Sequence, residues 1–323
     1  MSFLWRRTAH GLLLLLAVSL LSFGLFELVP GDFFDEMRLD PQISPAAVSA
    51  LRARYGMDRP LPERYARWLL SVARGEMGYS FAYGSPVGPL LRDRALHTLA
   101  LAGTATLLAW LIAIPVGVFG ASMRGRWSDR IWGAATSALL AVPDLLVALV
   151  LLLLAVRTGA FPTGGMVSPG FADLGPWGKA RDLLSHAVLP VSALVLGALP
   201  VLVRHVRASM IEALSSPFAR AARGHGIPRR RLLFHHALPA AAKPLLALLG
   251  FSVASLLSMS LLVEVVTSWP GLGPLLLEAI LARDLYVVVG AVMVSTVFLL
   301  AGNLVADLLL YAADPRIRRE SLK

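Results

Sequence analysis

Apolar residues in this chain come in long unbroken runs separated by shorter polar connections. Hydrocarbon about 30 Å thick takes about 20 apolar residues per helix. Six segments meet that demand, at roughly 11–29, 96–121, 131–156, 186–203, 244–266 and 285–312. A barrel strand would alternate apolar and polar positions over about ten residues, whereas "LLVALVLLLLAV" (145–156) is apolar on every side. The pattern predicts an all-α, polytopic membrane protein with six transmembrane helices. The long first connection has its own signal: in "SPAAVSALRARYG" (Ser44–Gly56), Ser44 is placed as an N-cap, Pro45 at the first helical position and Gly56 as the stop. The expected organisation is a first helix in 1–30, a small extramembrane helical segment in 31–95, a five-helix core in 96–315 and a basic tail in 316–323.

Composition agrees with the pattern. With 57% hydrophobic and 15% charged residues among 323 and a mean hydropathy of +0.70, the chain has too little polar surface to cover a soluble fold. The absence of cysteine excludes disulfides and thiolate metal sites. A net charge of +10 raises the possibility of nucleic-acid binding, but the charge alternates with the spans. Arg6 and Arg7 precede the first, Arg124, Arg126 and Arg130 follow the second, and eight basic residues against Glu212 alone lie from Arg204 to Lys243. Arg316, Arg318, Arg319 and Lys323 close the chain. The positive-inside rule then puts both termini and the 204–243 loop in the cytoplasm, and no nucleic-acid partner is expected. The 31–95 segment faces outward; its charges nearly cancel, and long loops cross irrespective of charge. Arg6 and Arg7 before "GLLLLLAVSLLSFGLF" also resemble the start of a signal peptide, but no small-x-small cleavage site follows, so the first helix is expected to be retained.

One cytoplasmic stretch is unlike the rest. "ARAARGHGIPRRRLLFHHALP" (Ala219–Pro239) sits between two apolar runs. Ser216-Pro217 is a helix start, and Gly224 and Gly226 are a stop. The intervening two turns place Phe218, Ala221, Ala222 and His225 on one face, with Arg220 and Arg223 pointing elsewhere. A helix that short is marginal alone and needs a partner surface.

The stretch resembles the cytoplasmic E-A-A, three residues, G, nine residues, I-x-L-P loop of ABC-importer permeases. Ala221-Ala222, Gly226 and Leu238-Pro239 keep its spacing, while Arg220 stands in place of the glutamate and His236 in place of the isoleucine. Other stretches resemble the dipeptide, oligopeptide and nickel branch: "LVPGD" (28–32), "YGMDRPLPERYARWL" (55–69), "GEMGYS" (75–80), "HAVLP" (186–190), "SWPGLG" (268–273), "ARDLYVVVG" (282–290) and "DPRIR" (314–318). The resemblance implies a type I importer permease fold, multi-pass in a bacterial inner membrane. It also implies a second homologous permease subunit, cytoplasmic ATPase subunits and an extracytoplasmic solute-binding protein. No cofactor is expected on this chain; ATP and magnesium belong to the partner ATPase. The short helix is then a coupling helix, with Phe218 its apolar knob, Gly226 its tight exit, and Arg220 and Arg223 offering charge-assisted contacts to the ATPase rim.

Competing chemistry finds little support. No G-x-x-x-x-G-K-[ST], H-E-x-x-H or G-x-S-x-G occurs. His205, His225, His235 and His236 are the candidate metal ligands, but His235 and His236 are adjacent and point to different helix faces, so no metal site is expected. Intramembrane acids are functional candidates by default: Asp144 and, as possible pathway or gate residues with Trp269, Glu264 and Asp307. Proton coupling through such acids defines the alternative, an ion-coupled secondary transporter. Ser252, Ser255, Ser258 and Ser260 serve close helix packing or line a passage.

Overall fold

The computed structural model describes residues 2–28, 30–38 and 42–313. The expected basic tail and the "DPRIR" stretch lie outside them. Helix α1 (Ser2–Glu27) is followed by three short helices, α2 (Phe33–Met37), α3 (Pro45–Arg54) and α4 (Leu61–Ala73), and by a two-stranded ribbon of β1 (Tyr79–Ser80) and β2 (Ser85–Pro86). Then come α5 (Val87–Ser122), α6 (Trp127–Leu140), α7 (Asp144–Thr158), α8 (Pro176–Ser215), α9 (Pro217–Gly224), a single turn α10 (Arg229–Arg231), a π-turn (Leu232–Ala237), α11 (Leu238–Val266), α12 (Leu272–Leu281) and α13 (Leu285–Ala313).

Five helices are long and apolar enough to cross a membrane, and six spans result if one bent pair counts as a span. That pair is a correction. The continuous third span expected at 131–156 is α6 and α7, which meet at 95°. Pro143 has no N–H to donate and sits at ψ 138° as the residue before α7, so the helix ends at Leu140 and restarts at Asp144. The fourth span is also longer than expected: α8 has 40 residues, about 60 Å at 1.5 Å per residue, twice the hydrocarbon thickness.

The chain forms two compact units. One holds the chain to Thr98 together with Pro270–Phe298. Its small helices are built as the sequence predicts: Ser44 accepts from the Ala47 amide, Pro45 starts α3, and Gly56 turns the chain at φ 69°. Phe34, Val48 and Met57 are buried beneath Phe33, Phe81 and Tyr286, and Phe23 of α1 packs on Trp68 and Tyr65 of α4. Arg52 joins Asp32 at 2.8 Å and Asp58 at 2.7 Å. Four motifs that are far apart in sequence meet in this unit. Gly31 (φ 82°) lies against the Arg283 guanidinium, Gly78 (φ 101°) against the Tyr286 ring, and Trp68 Nε1 donates to the Met77 carbonyl at 3.1 Å. Asp284, wholly buried, accepts from Ser80 Oγ at 2.7 Å and from the Ala82 amide at 3.1 Å. Tyr83 donates to Glu278; burial first, then that carboxylate, pushes its phenol up to about 12, so it stays a donor at any working pH.

The second unit holds Leu99–Trp269 and the chain from Leu299 onward. Its core is formed chiefly by α5, α8 and α11, with Leu194, Leu202, Val206, Met210 and Leu256 among its buried side chains. Close approach is bought by glycine: a Cβ on Gly117 would lie 2.6 Å from Val206, and one on Gly302 would lie 2.4 Å from Val253. Asp129, in the first turn of α6, takes a bidentate pair from Arg207 of α8 at 2.9 and 2.8 Å. Outward faces stay apolar: Leu107 and Leu111 of α5 and Leu153 and Leu154 of α7 are exposed, as lipid or a partner helix requires.

Candidate functional site

The loop between α8 and α11 folds as a separate small device. Ser216 leaves α8 in an extended conformation and its hydroxyl accepts from the Ala219 amide, satisfying one orphan donor of α9, while Pro217 occupies a position that needs none. At the other end the Gly226 amide donates to the Arg223 carbonyl at 3.0 Å and the Ile227 amide to the Ala222 carbonyl at 3.1 Å. With Gly226 at φ 71°, this pair of bonds is a Schellman stop. Gly226 alone therefore ends the helix; Gly224, expected to share that role, is its last residue.

Only one face of α9 is covered by its own chain. Ala219 is wholly buried and Ala222 half-buried, whereas Arg220, Ala221 and His225 are exposed and Phe218 stands 44% exposed. The expected face is thus split: Phe218, Ala221 and His225 look out, and Ala222 looks in. Arg223 is engaged at home. Its Nε donates to the Ala219 carbonyl at 3.3 Å and its guanidinium to the Leu214 carbonyl, closing the C-terminal end of α8. Of the two arginines expected at a partner's rim, Arg220 has the open position. Arg229 likewise donates to the Ser122 carbonyl at the end of α5, so α9 and α10 are fastened to the ends of two spans. The chain returns through the π-turn, with Leu232, Leu233 and Ala237 buried, into Leu238 and Pro239 at the start of α11. The loop is thus tied to α8 through α9, to α5 through Arg229, and runs on directly into α11.

The acids Glu264 and Asp307 do not converge. Glu264 is wholly buried near the end of α11, and Trp269, 4% exposed, donates its amide to the Glu264 carbonyl at 2.9 Å across a turn that holds Ser268 at φ 51°. Asp307 lies on α13 beside Ala306, which faces Gly250 of α11. From residue 250 to residue 264 the helix rises about 21 Å, so Glu264 and Asp307 belong to different depths. Among the described residues, no three His, Asp or Glu side chains lie close enough together to hold a metal ion. The bidentate Arg207–Asp129 pair and the Asp284 cap were not legible in advance; the proline of "AVPD" (141–144) was the available sign of the broken span.

Long apolar helices, one of them broken, with a capped, exposed helix in the connection between two of them, define a multi-pass membrane protein. The model of the binding-protein-dependent transport system inner membrane component matches residues 113–319, and the model of the N-terminal region of the same components matches residues 1–102. The chain belongs to this family and is a non-catalytic, multi-pass permease subunit of the ABC importers. The oligopeptide transport system permease protein AppB of Bacillus subtilis is 33% identical over 320 residues, covering 98% of this chain and 99% of that protein. The dipeptide transport system permease protein DppB of Escherichia coli is 32% identical over 339 residues, covering 99% of each. The solved structure of the MetNI methionine ABC transporter, in an inward-facing conformation, shares the fold with a TM-score of 0.57 at 18% identity, over 70% of this chain and 96% of that one.

Proposed function

We propose that this chain forms one half of a translocation pathway for peptides or related small solutes. The other half is a second homologous permease, the motor is a pair of cytoplasmic ATPase domains that consume ATP and magnesium, and the cargo is delivered by an extracytoplasmic binding protein. The observation that carries this reading is α9, an eight-residue helix too short to persist alone, capped at both ends and presenting Phe218 outward. The names of the peptide-transport relatives support the class of cargo. The ATPase seats on the Phe218 and Arg220 side of α9, and its closure moves α5, α8 and α11. Removing an apolar anchor of this kind costs roughly 2 kcal/mol of binding, so Phe218→Ala should insert normally in the membrane but retain much less ATPase on affinity purification. Undiminished retention would remove α9 from the docking surface.

The basic loops support an orientation with α9 and both termini in the cytoplasm and α2–α4 outside. A cysteine-free chain makes this measurable. Ser49→Cys should react with an impermeant thiol reagent applied outside intact cells and Ser215→Cys should react only after permeabilisation; the opposite pattern would invert the topology.

A further inference from the structure

The break between α6 and α7 opens a cavity of about 330 Å³ lined by Pro143, Asp144, Gly197, Ser252, Ser255 and Met259. Four helices contribute to it: α6 through its last residue, Leu140, α7 through its first, Asp144, and α8 and α11 through residues near their middles. Asp144 is central to the third span, Gly197 lies within the fourth, and Ser252 and Ser255 are halfway along α11. All of these residues lie inside apolar segments read as spans, where a charge is costly and is retained for a purpose.

Its polar groups are unequal. Ser252 is fully used, accepting from Trp110 Nε1 at 2.9 Å and donating to the Leu249 carbonyl at 2.7 Å. Ser255 meets only the Met259 thioether, at 3.9 Å. The Asp144 carboxylate has no hydrogen-bond or ion-pair partner among the described residues. It lies over bare backbone, for a Cβ on Gly197 would come within 2.6 Å of its Oδ1 and 2.5 Å of the Met259 methyl. Asp144 is the first residue of α7, so its carboxylate sits at the positive end of that helix. One carboxylate, one available hydroxyl and a soft sulfur are too few hard ligands for a divalent cation. They match a primary ammonium, whose three donors need a carboxylate and a hydroxyl.

We infer that Asp144 and Ser255 form a subsite within the membrane for the protonated amino group of the passing solute. This rests on the peptide reading of the cargo, since a peptide's free amino terminus carries that group. The subsite is separate from the docking helix and from Glu264 and Asp307. Discontinuous helices with binding groups at the bilayer midplane are a recurring way to build such sites.

The test uses the assembled importer in proteoliposomes, with cysteine-free partner chains and Ser255→Cys as the only thiol. A trimethylammonium thiosulfonate should modify that thiol about tenfold faster than its sulfonate analogue, the ratio given by ~1.4 kcal/mol of charge attraction. Asp144→Asn should abolish the preference and Asp144→Glu should keep it. With Ser255 intact, Asp144→Asn should reduce peptide uptake about tenfold while the binding protein still stimulates ATP hydrolysis. Equal labelling rates, or a preference that survives Asp144→Asn, would overturn the subsite. Failure of the unsubstituted importer to take up any peptide would instead overturn the cargo reading, and the charge preference would still be measurable.

Discussion

Gly226→Val should separate the chain from its ATPase while leaving it in the membrane. Gly226 has φ 71°, a conformation that costs an ordinary L-residue about 1–2 kcal/mol and a β-branched one more. No heavy atom lies within 4 Å of where its Cβ would be, so the effect is conformational and not steric. The strain falls on the two bonds that close α9, from Gly226 to Arg223 and from Ile227 to Ala222. Unwinding the last turn displaces the Arg223 guanidinium from the Leu214 carbonyl and frees α9 from the end of α8. The measurement is ATPase retention on purification together with chain abundance in the membrane. Gly226→Asn should be much milder, because asparagine tolerates the left-handed region. Equal retention in the valine variant and the unsubstituted chain would show that the Schellman stop does not organise the docking surface.

Asp284→Ala should be the most destabilising single change in the unit that carries α2–α4. The side chain is wholly buried, and its removal strands the Ser80 hydroxyl and the Ala82 amide, both of which donate to Oδ2. The Val287 amide, which reaches Oδ1 at 3.4 Å, also loses its partner. Unsatisfied buried donors cost roughly 1–3 kcal/mol each, and bonds to a charged acceptor are at the upper end. A total of about 3 kcal/mol or more should appear as a lowered unfolding temperature in detergent. Asp284→Asn keeps an acceptor oxygen and should recover part of that loss. An alanine variant as stable as the parent would mean that water replaces the carboxylate.

Much of the fold follows from the sequence because membrane burial depends on length and hydropathy, which are local. The spans at 96–121, 244–266 and 285–312 lie within α5, α11 and α13 for that reason, and the first, at 11–29, overlaps α1 as far as Glu27. The Ser44 and Ser216 caps were equally legible, since a hydroxyl followed by proline is a local signal. What hydropathy could not convey was geometry inside an apolar run. "AVPDLLVAL" (141–149) scores as continuous span although Pro143 turns the chain by 95°. The bond of Arg223 to the end of α8 was hidden because its acceptor, the Leu214 carbonyl, lies nine residues back across a helix end. Long-range meetings such as Gly31 with Arg283 depend on tertiary packing, and the motifs that contain them could be recognised only one by one. Arg220, in the place of a glutamate, stays exposed, so α9 needs the family's spacing but not that acidic side chain to form its caps.

The central claim is that this chain is a conduit driven through α9 and neither a motor nor an independent transporter. Peptide uptake into liposomes measures it most directly. The complete set of second permease, ATPase subunits and binding protein should give ATP-dependent uptake that disappears with Gly226→Val, and this chain alone should give none. Uptake by this chain alone, driven by a proton gradient and abolished by Asp307→Asn, would contradict the account and establish an ion-coupled secondary transporter.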